Sequence, residues 1–125
     1  MTQTLPAELG HCYSLLFIGD AEQKIENHLK AILCYEECRM TAEDKVPQEA
    51  IFAYTLFRAA RKEAQSLILM GFEKRAYRML KKLHSKNITG GNNYDQIFII
   101  TQLMQLSQKH EPAKAQYYMD IFQMN

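Results

Sequence analysis

Two cysteines on one predicted helix, together with an earlier histidine–cysteine pair, are the residues whose types could bind a metal ion. Cys34 and Cys38 are four residues apart, and His11 and Cys12 precede them. Zinc sites take thiolate and imidazole ligands, but they draw their paired ligands from short loops, and a helical pair supplies only two. The alternative is two half-buried thiols. We therefore expect no metal site and no cofactor.

Glu8 and His11 form a Glu-x-x-His pair, the unit that di-iron helical bundles use twice. The chain holds no second copy of this unit. Glu26 and Glu37 could supply the further carboxylates, but nothing in the sequence places them beside Glu8 and His11. We interpret Glu8 and His11 as a surface pair on the first helix.

Arg78 and His84 are the residues best suited to an enzyme. Their Arg-x5-His spacing resembles the signature of the HEPN class of helical ribonucleases, in which histidine and arginine act on the RNA phosphodiester. The resemblance implies that His84 would be the general acid–base and Arg78 would stabilise the developing negative charge. Six residues turn a helix through about 600°, however, which would leave these side chains about 120° apart. The alternative is a solvated basic face.

Positive charge is concentrated in the middle of the chain. Residues 1–50 hold nine acidic and four basic side chains, residues 51–90 hold two and nine, and residues 91–125 hold three and two. The basic surface expected around one helical hairpin consists of Arg58, Arg61, Lys62, Lys74, Arg75, Arg78, Lys81 and Lys82. It could meet an acidic face of another protein, the chain's own acidic second helix, or RNA. Because no glycine-rich phosphate loop or interleaved aromatic platform accompanies it, we expect protein contact and no nucleic acid.

The C-terminal segment carries more large apolar side chains than one buried helix face can take. Tyr117, Tyr118 and Phe122 lie there, with Met119 and Met124 nearby. Aromatic and methionine side chains are favoured at protein interfaces, and the alternative is ordinary core packing. Both interpretations stay open from the sequence.

Length and composition indicate one soluble domain over residues 1–125. The chain is 47% apolar and 23% charged, which is ordinary for a globular protein. Three cysteines and the absence of a signal peptide predict a reducing, cytoplasmic location without disulfides. The longest apolar runs fall far short of the roughly 20 residues that a membrane span requires, so we expect no membrane contact.

Apolar residues recur with a helical period throughout, which predicts an all-α fold of about six helices in stacked antiparallel hairpins. The predicted breaks lie at Gly19-Asp20, residues 41–47, Gly71, residues 87–93 and Glu111-Pro112. On the second helix, expected over Ala21–Arg39, we place Ile25, Leu29, Ile32 and Leu33 on the inward face. The segment at residues 87–93 is the best internal candidate for a hinge.

One stretch has the residue spacing of a known repeat. Ala64, Leu67, Gly71, Ala76 and Leu80 follow one another at intervals of three, four, five and four residues. This spacing resembles the core of a tetratricopeptide repeat, in which small residues allow close helix crossing and glycine makes the turn. The last hairpin repeats it in part, with His110 in place of the glycine. The resemblance implies stacked helical hairpins.

These observations together predict a protein–protein interaction module, acting as an adaptor, a secretion or effector chaperone, or an inhibitor of its partner. The groove face of the third helix and the C-terminal helix would bury an apolar partner segment, and the basic hairpin would set orientation and on-rate. A homodimer through the same surface is a second option, and an RNA-cutting enzyme built on Arg78 and His84 is the alternative function. The predicted partner-binding residues are Arg58, Arg61, Lys62, Lys74, Arg78, Lys81, Lys82, Tyr117, Tyr118 and Phe122.

Overall fold

The computed structural model describes residues 6–124, which form six α-helices and one short 3-10 turn. They are α1 (Ala7–Lys24), α2 (His28–Lys45), the 3-10 turn (Ala50–Phe52), α3 (Ala53–Leu69), α4 (Glu73–Ser85), α5 (Asn93–His110) and α6 (Pro112–Met124). Consecutive helices pack as hairpins, and α1 and α5 also contact α3. The predicted all-α fold of antiparallel pairs is confirmed, with no strand among residues 6–124.

Helix α3 lies at the centre of this arrangement because its surface combines small and large apolar residues. Ala59, Ala60 and Ala64 have no solvent-exposed surface, and neither do Leu56 and Leu67. The alanines let neighbouring helices approach closely, while the leucines fill the space between them. No helix in the described part of the chain is long and apolar enough to cross a lipid bilayer.

The predicted break at Gly19-Asp20 is wrong, because α1 continues through both residues to Lys24. The chain instead turns at residues 25–27, where Glu26 adopts a left-handed backbone with φ of 63°. Gly19 is buried inside the helix, and a Cβ there would lie 2.5 Å from Cε1 of Tyr35 on α2. The glycine therefore permits a close crossing of two helices instead of a turn.

The predicted loop at residues 41–47 is also largely wrong, since α2 extends to Lys45. Arg39 supports this extension: its guanidinium pairs with Glu43 one turn later at 3.4 Å and with the buried Glu63 of α3 at 2.5 Å. Ala42 is fully buried and belongs to the core. Val46 still has helical backbone angles and donates its N–H to the Ala42 carbonyl, and the helix ends at Pro47, which has no backbone N–H to continue the hydrogen-bond series.

The predicted inward face of α2 is wrong at three of its four positions. Ile32 is buried as expected, but Ile25, Leu29 and Leu33 are exposed. The inward positions are taken by Ala31, Tyr35, Cys38 and Ala42. Apolar residues occur on both sides of this helix, so periodicity could not distinguish the core side.

The other predicted breaks are confirmed. Gly71 lies within the α3–α4 connection with φ of 85°, a conformation that favours glycine. Residues 86–92 separate α4 from α5, and the Asn92 side chain accepts a hydrogen bond from the Tyr94 backbone N–H at 2.8 Å, which caps α5. A hinge in this segment stays a prediction.

Candidate protein-binding site

Side chains from α1, α3 and α5 form one connected surface of tyrosines and basic residues, which we name the tyrosine–arginine face. It exists because α1 and α5 both contact α3, so that residues distant in sequence become neighbours. Its members are Tyr13 and Asp20 on α1, Tyr54, Arg58, Arg61 and Lys62 on α3, and Tyr94 and Asp95 on α5.

A single buried carboxylate organises the arginines of this face. Asp95 has no exposed surface. Its oxygens accept hydrogen bonds from Nε of Arg58 at 2.9 and 3.1 Å and from Nε of Arg61. Asp95 also lies in the first turn of α5, where the helix dipole favours negative charge. Two guanidinium groups thus share one carboxylate, which leaves this cluster with an excess positive charge.

Each arginine also lies against a tyrosine ring. The guanidinium carbon of Arg58 is 5.1 Å from the centre of the Tyr54 ring, and that of Arg61 is 5.1 Å from the centre of the Tyr94 ring. The ring of Tyr13 lies 6.4 Å from that of Tyr54. Cation–π contacts of this kind fix the arginine side chains in place. The tyrosines remain accessible, with 38% of Tyr54 and 63% of Tyr94 exposed.

A third cation, Lys62, extends the face toward the end of α1. Lys62 Nζ donates to Oδ1 of Asp20 at 2.7 Å, and the Tyr35 hydroxyl donates to the same oxygen at 2.6 Å. Burial of the ring, together with this hydrogen bond, raises the pKa of Tyr35. Beside it lies an open groove of about 460 Å³, with Phe17 and Gln65 among its lining residues.

The rest of the predicted basic surface divides into two groups. Lys81 donates to Glu111 at 2.8 Å, and Arg75 pairs with Glu36 of α2 at 2.9 Å. Lys74, Arg78 and Lys82 are exposed on α4, with no ion pair among the described residues. Part of the charge asymmetry is therefore satisfied inside the fold, by pairs between the acidic and basic segments.

The aromatic residues of α6 are split between core and surface. Only 3% of Tyr118 is exposed, and its ring makes edge contacts with Tyr77, His84 and Tyr117. Tyr117 and Phe122 are partly exposed. Tyr118 thus anchors α6 to α4, whereas Tyr117 and Phe122 have surface available for a partner.

The structure does not bring Arg78 and His84 together. Arg78 is exposed, whereas His84 is partly covered by Tyr117 and Tyr118, and no hydrogen bond or ring contact joins Arg78 to His84. Burial lowers the pKa of His84, which favours its neutral form. His84 also borders a groove of about 560 Å³ between α4, α5 and α6, whose lining includes Ile97 and Ile121. The ribonuclease hypothesis stays a prediction.

The metal candidates are engaged in other contacts. Cys12 and Cys38 are fully buried, and burial raises the pKa of both thiols. His11 Nε2 lies 3.3 Å from Glu37, and Glu8 pairs with Lys45 at 3.6 Å. Among residues 6–124 no group of three or more histidine, cysteine or acidic residues is arranged to hold a metal ion.

Sequence reasoning identified the three cations of the tyrosine–arginine face but missed the residues that hold them. Tyr54 is four residues before Arg58, a spacing that places both on one side of a helix and could have suggested their contact. Asp95 and Tyr94 come from a helix more than thirty residues later in the chain, and no local pattern indicated their position.

Comparison with known proteins assigns neither a family nor a function to this site. The chain matches no family model, no curated protein and no solved structure. The six-helix architecture of antiparallel pairs is therefore established by the structure, and membership of the tetratricopeptide family stays a prediction.

Proposed function

We propose that this chain is a protein-binding module whose partner docks on the tyrosine–arginine face. The proposal rests on the position of Arg58 and Arg61. Asp95 holds both through hydrogen bonds, and they lie against the accessible rings of Tyr54 and Tyr94. Tyrosine and arginine are the residue types enriched among the energetic centres of protein interfaces. Fixing them before binding reduces the entropy lost on association.

The charge of the face favours a partner that brings an acidic group. Arg58 donates to Asp95 through Nε only, and its two terminal nitrogens donate no hydrogen bond to any residue in the described part of the chain. A carboxylate of the partner would accept from those nitrogens, while the tyrosine rings cover apolar parts of the same segment. An adaptor, a secretion or effector chaperone and an inhibitor would all use such a surface.

Affinity capture with a matched pair of variants tests the proposal. The tagged chain is incubated with lysate from its source cells, and the captured protein and RNA are both quantified. We expect one stoichiometric protein partner, with capture reduced by about tenfold or more in Tyr54→Ala/Tyr94→Ala because two interface tyrosines are removed. Phe72→Ala is the control, since Phe72 is a partly exposed aromatic residue at the α3–α4 turn and lies outside the face.

Thermal unfolding of each variant verifies that it is folded before capture is compared. Equal capture by the wild type and the folded tyrosine variant would contradict the proposed face. Recovery of RNA without a protein partner would contradict the proposed function and favour the ribonuclease hypothesis.

A further inference from the structure

Helix α2 carries an uncovered apolar stripe on the side opposite its core contacts. Leu29, Leu33 and Met40 are 58%, 62% and 58% exposed. At 100° per residue they fall within an arc of about 40°. The buried residues Ala31, Tyr35 and Cys38 lie on the other side of the helix. An apolar stripe of this kind on an outer helix is characteristic of an interaction surface.

Two residues of opposite charge flank this stripe on its α1 side. Lys30 and Glu37 are seven residues apart, and both are exposed. Their present partners are on α1: Lys30 pairs with Glu22 at 3.3 Å, and His11 pairs with Glu37 at 3.3 Å. In these contacts the side chains of Lys30 and Glu37 each remain 60% exposed, so each charge can take an additional or alternative partner.

We infer that the stripe is the contact surface for a second copy of this chain, with the two α2 helices antiparallel about a two-fold axis near Leu33 and Cys34. In that arrangement Lys30 of one copy lies opposite Glu37 of the other, and the symmetry repeats this ion pair. Leu33 meets its symmetry mate, and Leu29 approaches Met40 of the second copy. A two-fold interface must be complementary to itself, and Lys30 and Glu37 satisfy that condition in this arrangement.

The same charges favour the antiparallel over the parallel arrangement. In a parallel pair about a two-fold axis along the helices, the α1 sides of the two copies would lie at opposite edges of the interface, so Lys30 and Glu37 of one copy would not face those of the other. An unrelated partner would have no need of this symmetry between residues 30 and 37. The charge pattern therefore supports a second copy in the antiparallel direction.

Sedimentation equilibrium of the purified chain tests this inference. We expect the wild type to be mainly dimeric at about 200 µM. It should dissociate into monomers only as its concentration falls to the dissociation constant of the dimer or below. Leu33→Lys places two positive charges at the two-fold axis and should weaken the dimer on the order of a hundredfold. Leu69→Lys is the control, because Leu69 is similarly exposed but lies at the end of α3, and this variant should remain as dimeric as the wild type.

Charge exchange separates this interface from any other. Lys30→Glu and Glu37→Lys should each weaken the dimer by roughly tenfold, and the double variant should restore it because the opposed charges are then exchanged on both copies. A wild type that stays monomeric at about 200 µM, whatever else it binds, would overturn the inference. A Leu33→Lys dimer as tight as the control, or a double variant weaker than either single variant, would overturn it as well. Because the stripe and the tyrosine–arginine face are separate, partner capture by Leu33→Lys tests the proposed function independently.

Discussion

The ring of Tyr35 on α2 occupies the space that a side chain at Gly19 of α1 would need. A Cβ at position 19 would be 2.5 Å from Cε1 of Tyr35 and 2.9 Å from Cζ. The same tyrosine donates its hydroxyl to Asp20 at 2.6 Å, so both the ring and its polar end are fixed. This contact therefore sets how closely α1 and α2 can approach each other.

Gly19→Ala should lower the free energy of unfolding by about 1 to 3 kcal/mol, because the added methyl forces the buried Tyr35 ring to move. Gly10→Ala on the same helix should raise it by about 0.5 to 1 kcal/mol, because alanine is the better helix former. A Cβ at Gly10 would meet nothing within 4 Å. Urea unfolding of both variants gives the two values. Equal effects would show that the Tyr35 contact is not limiting.

Asp95→Asn should be strongly destabilising. Asp95 is fully buried and accepts hydrogen bonds from two guanidinium groups, so removing its charge leaves Arg58 and Arg61 facing each other without an anion. Breaking a buried ion pair by removing one partner costs about 3 kcal/mol or more. Asp120→Asn on the exposed side of α6 is the matched control and should change the free energy of unfolding by less than about 0.5 kcal/mol. Chemical unfolding that gives the same value for both variants would contradict the organising role of Asp95.

Stability should fall on acidification in a way that depends on His84. Burial lowers the pKa of His84 below its usual value of 6.5, so the folded protein binds fewer protons at this site than the unfolded chain. The contribution of His84 to stability is therefore present above pH 6.5 and is lost as the pH falls from that value toward the lowered pKa.

Melting temperatures of the wild type and His84→Gln, compared between about pH 7.5 and pH 5.5, measure this contribution. The wild type should lose more stability than the variant as the pH falls. The other three histidines are common to both proteins, so their effects cancel in the difference. Parallel curves would mean that His84 is not buried in solution.

Arg78→Ala and His84→Ala distinguish the two functional hypotheses. If the chain binds a protein partner through the tyrosine–arginine face, each variant should retain capture within about twofold, since neither residue belongs to that face. If the chain is a ribonuclease, each variant should lower RNA cleavage by about a hundredfold, as expected for loss of an acid–base or charge-stabilising group. Cleavage of single-stranded RNA by the purified protein, followed on denaturing gels, supplies the second readout.

Much of the architecture could be predicted from local patterns. Turns occur at Gly71, in the segment at residues 87–93 and before Pro112, because glycine permits positive φ and proline fixes φ and lacks an N–H, whatever surrounds them. The helical period of the apolar residues likewise predicted six helices in pairs, since each helix must bury one side against a neighbour.

Residues whose role depends on a neighbouring helix were not predictable in this way. Gly19 resembles a helix end in the sequence but serves a close crossing, because its neighbour Tyr35 comes from another helix. Leu29 and Leu33 have the composition of a core face and are exposed, because alanines on the other side of α2 allow closer approach to α1 and α3.

Composition, helical periodicity and turn residues thus account for the fold class and most of its boundaries, since those effects act within a few residues of chain. The use made of the charges depends instead on contacts between distant segments. The sequence alone assigns Arg58 and Arg61 to a basic surface. In the structure, α5 brings Asp95 and Tyr94 beside them. Whether a cation is neutralised, held in place or left exposed follows from which helices pack together, and that packing is a property of the whole chain.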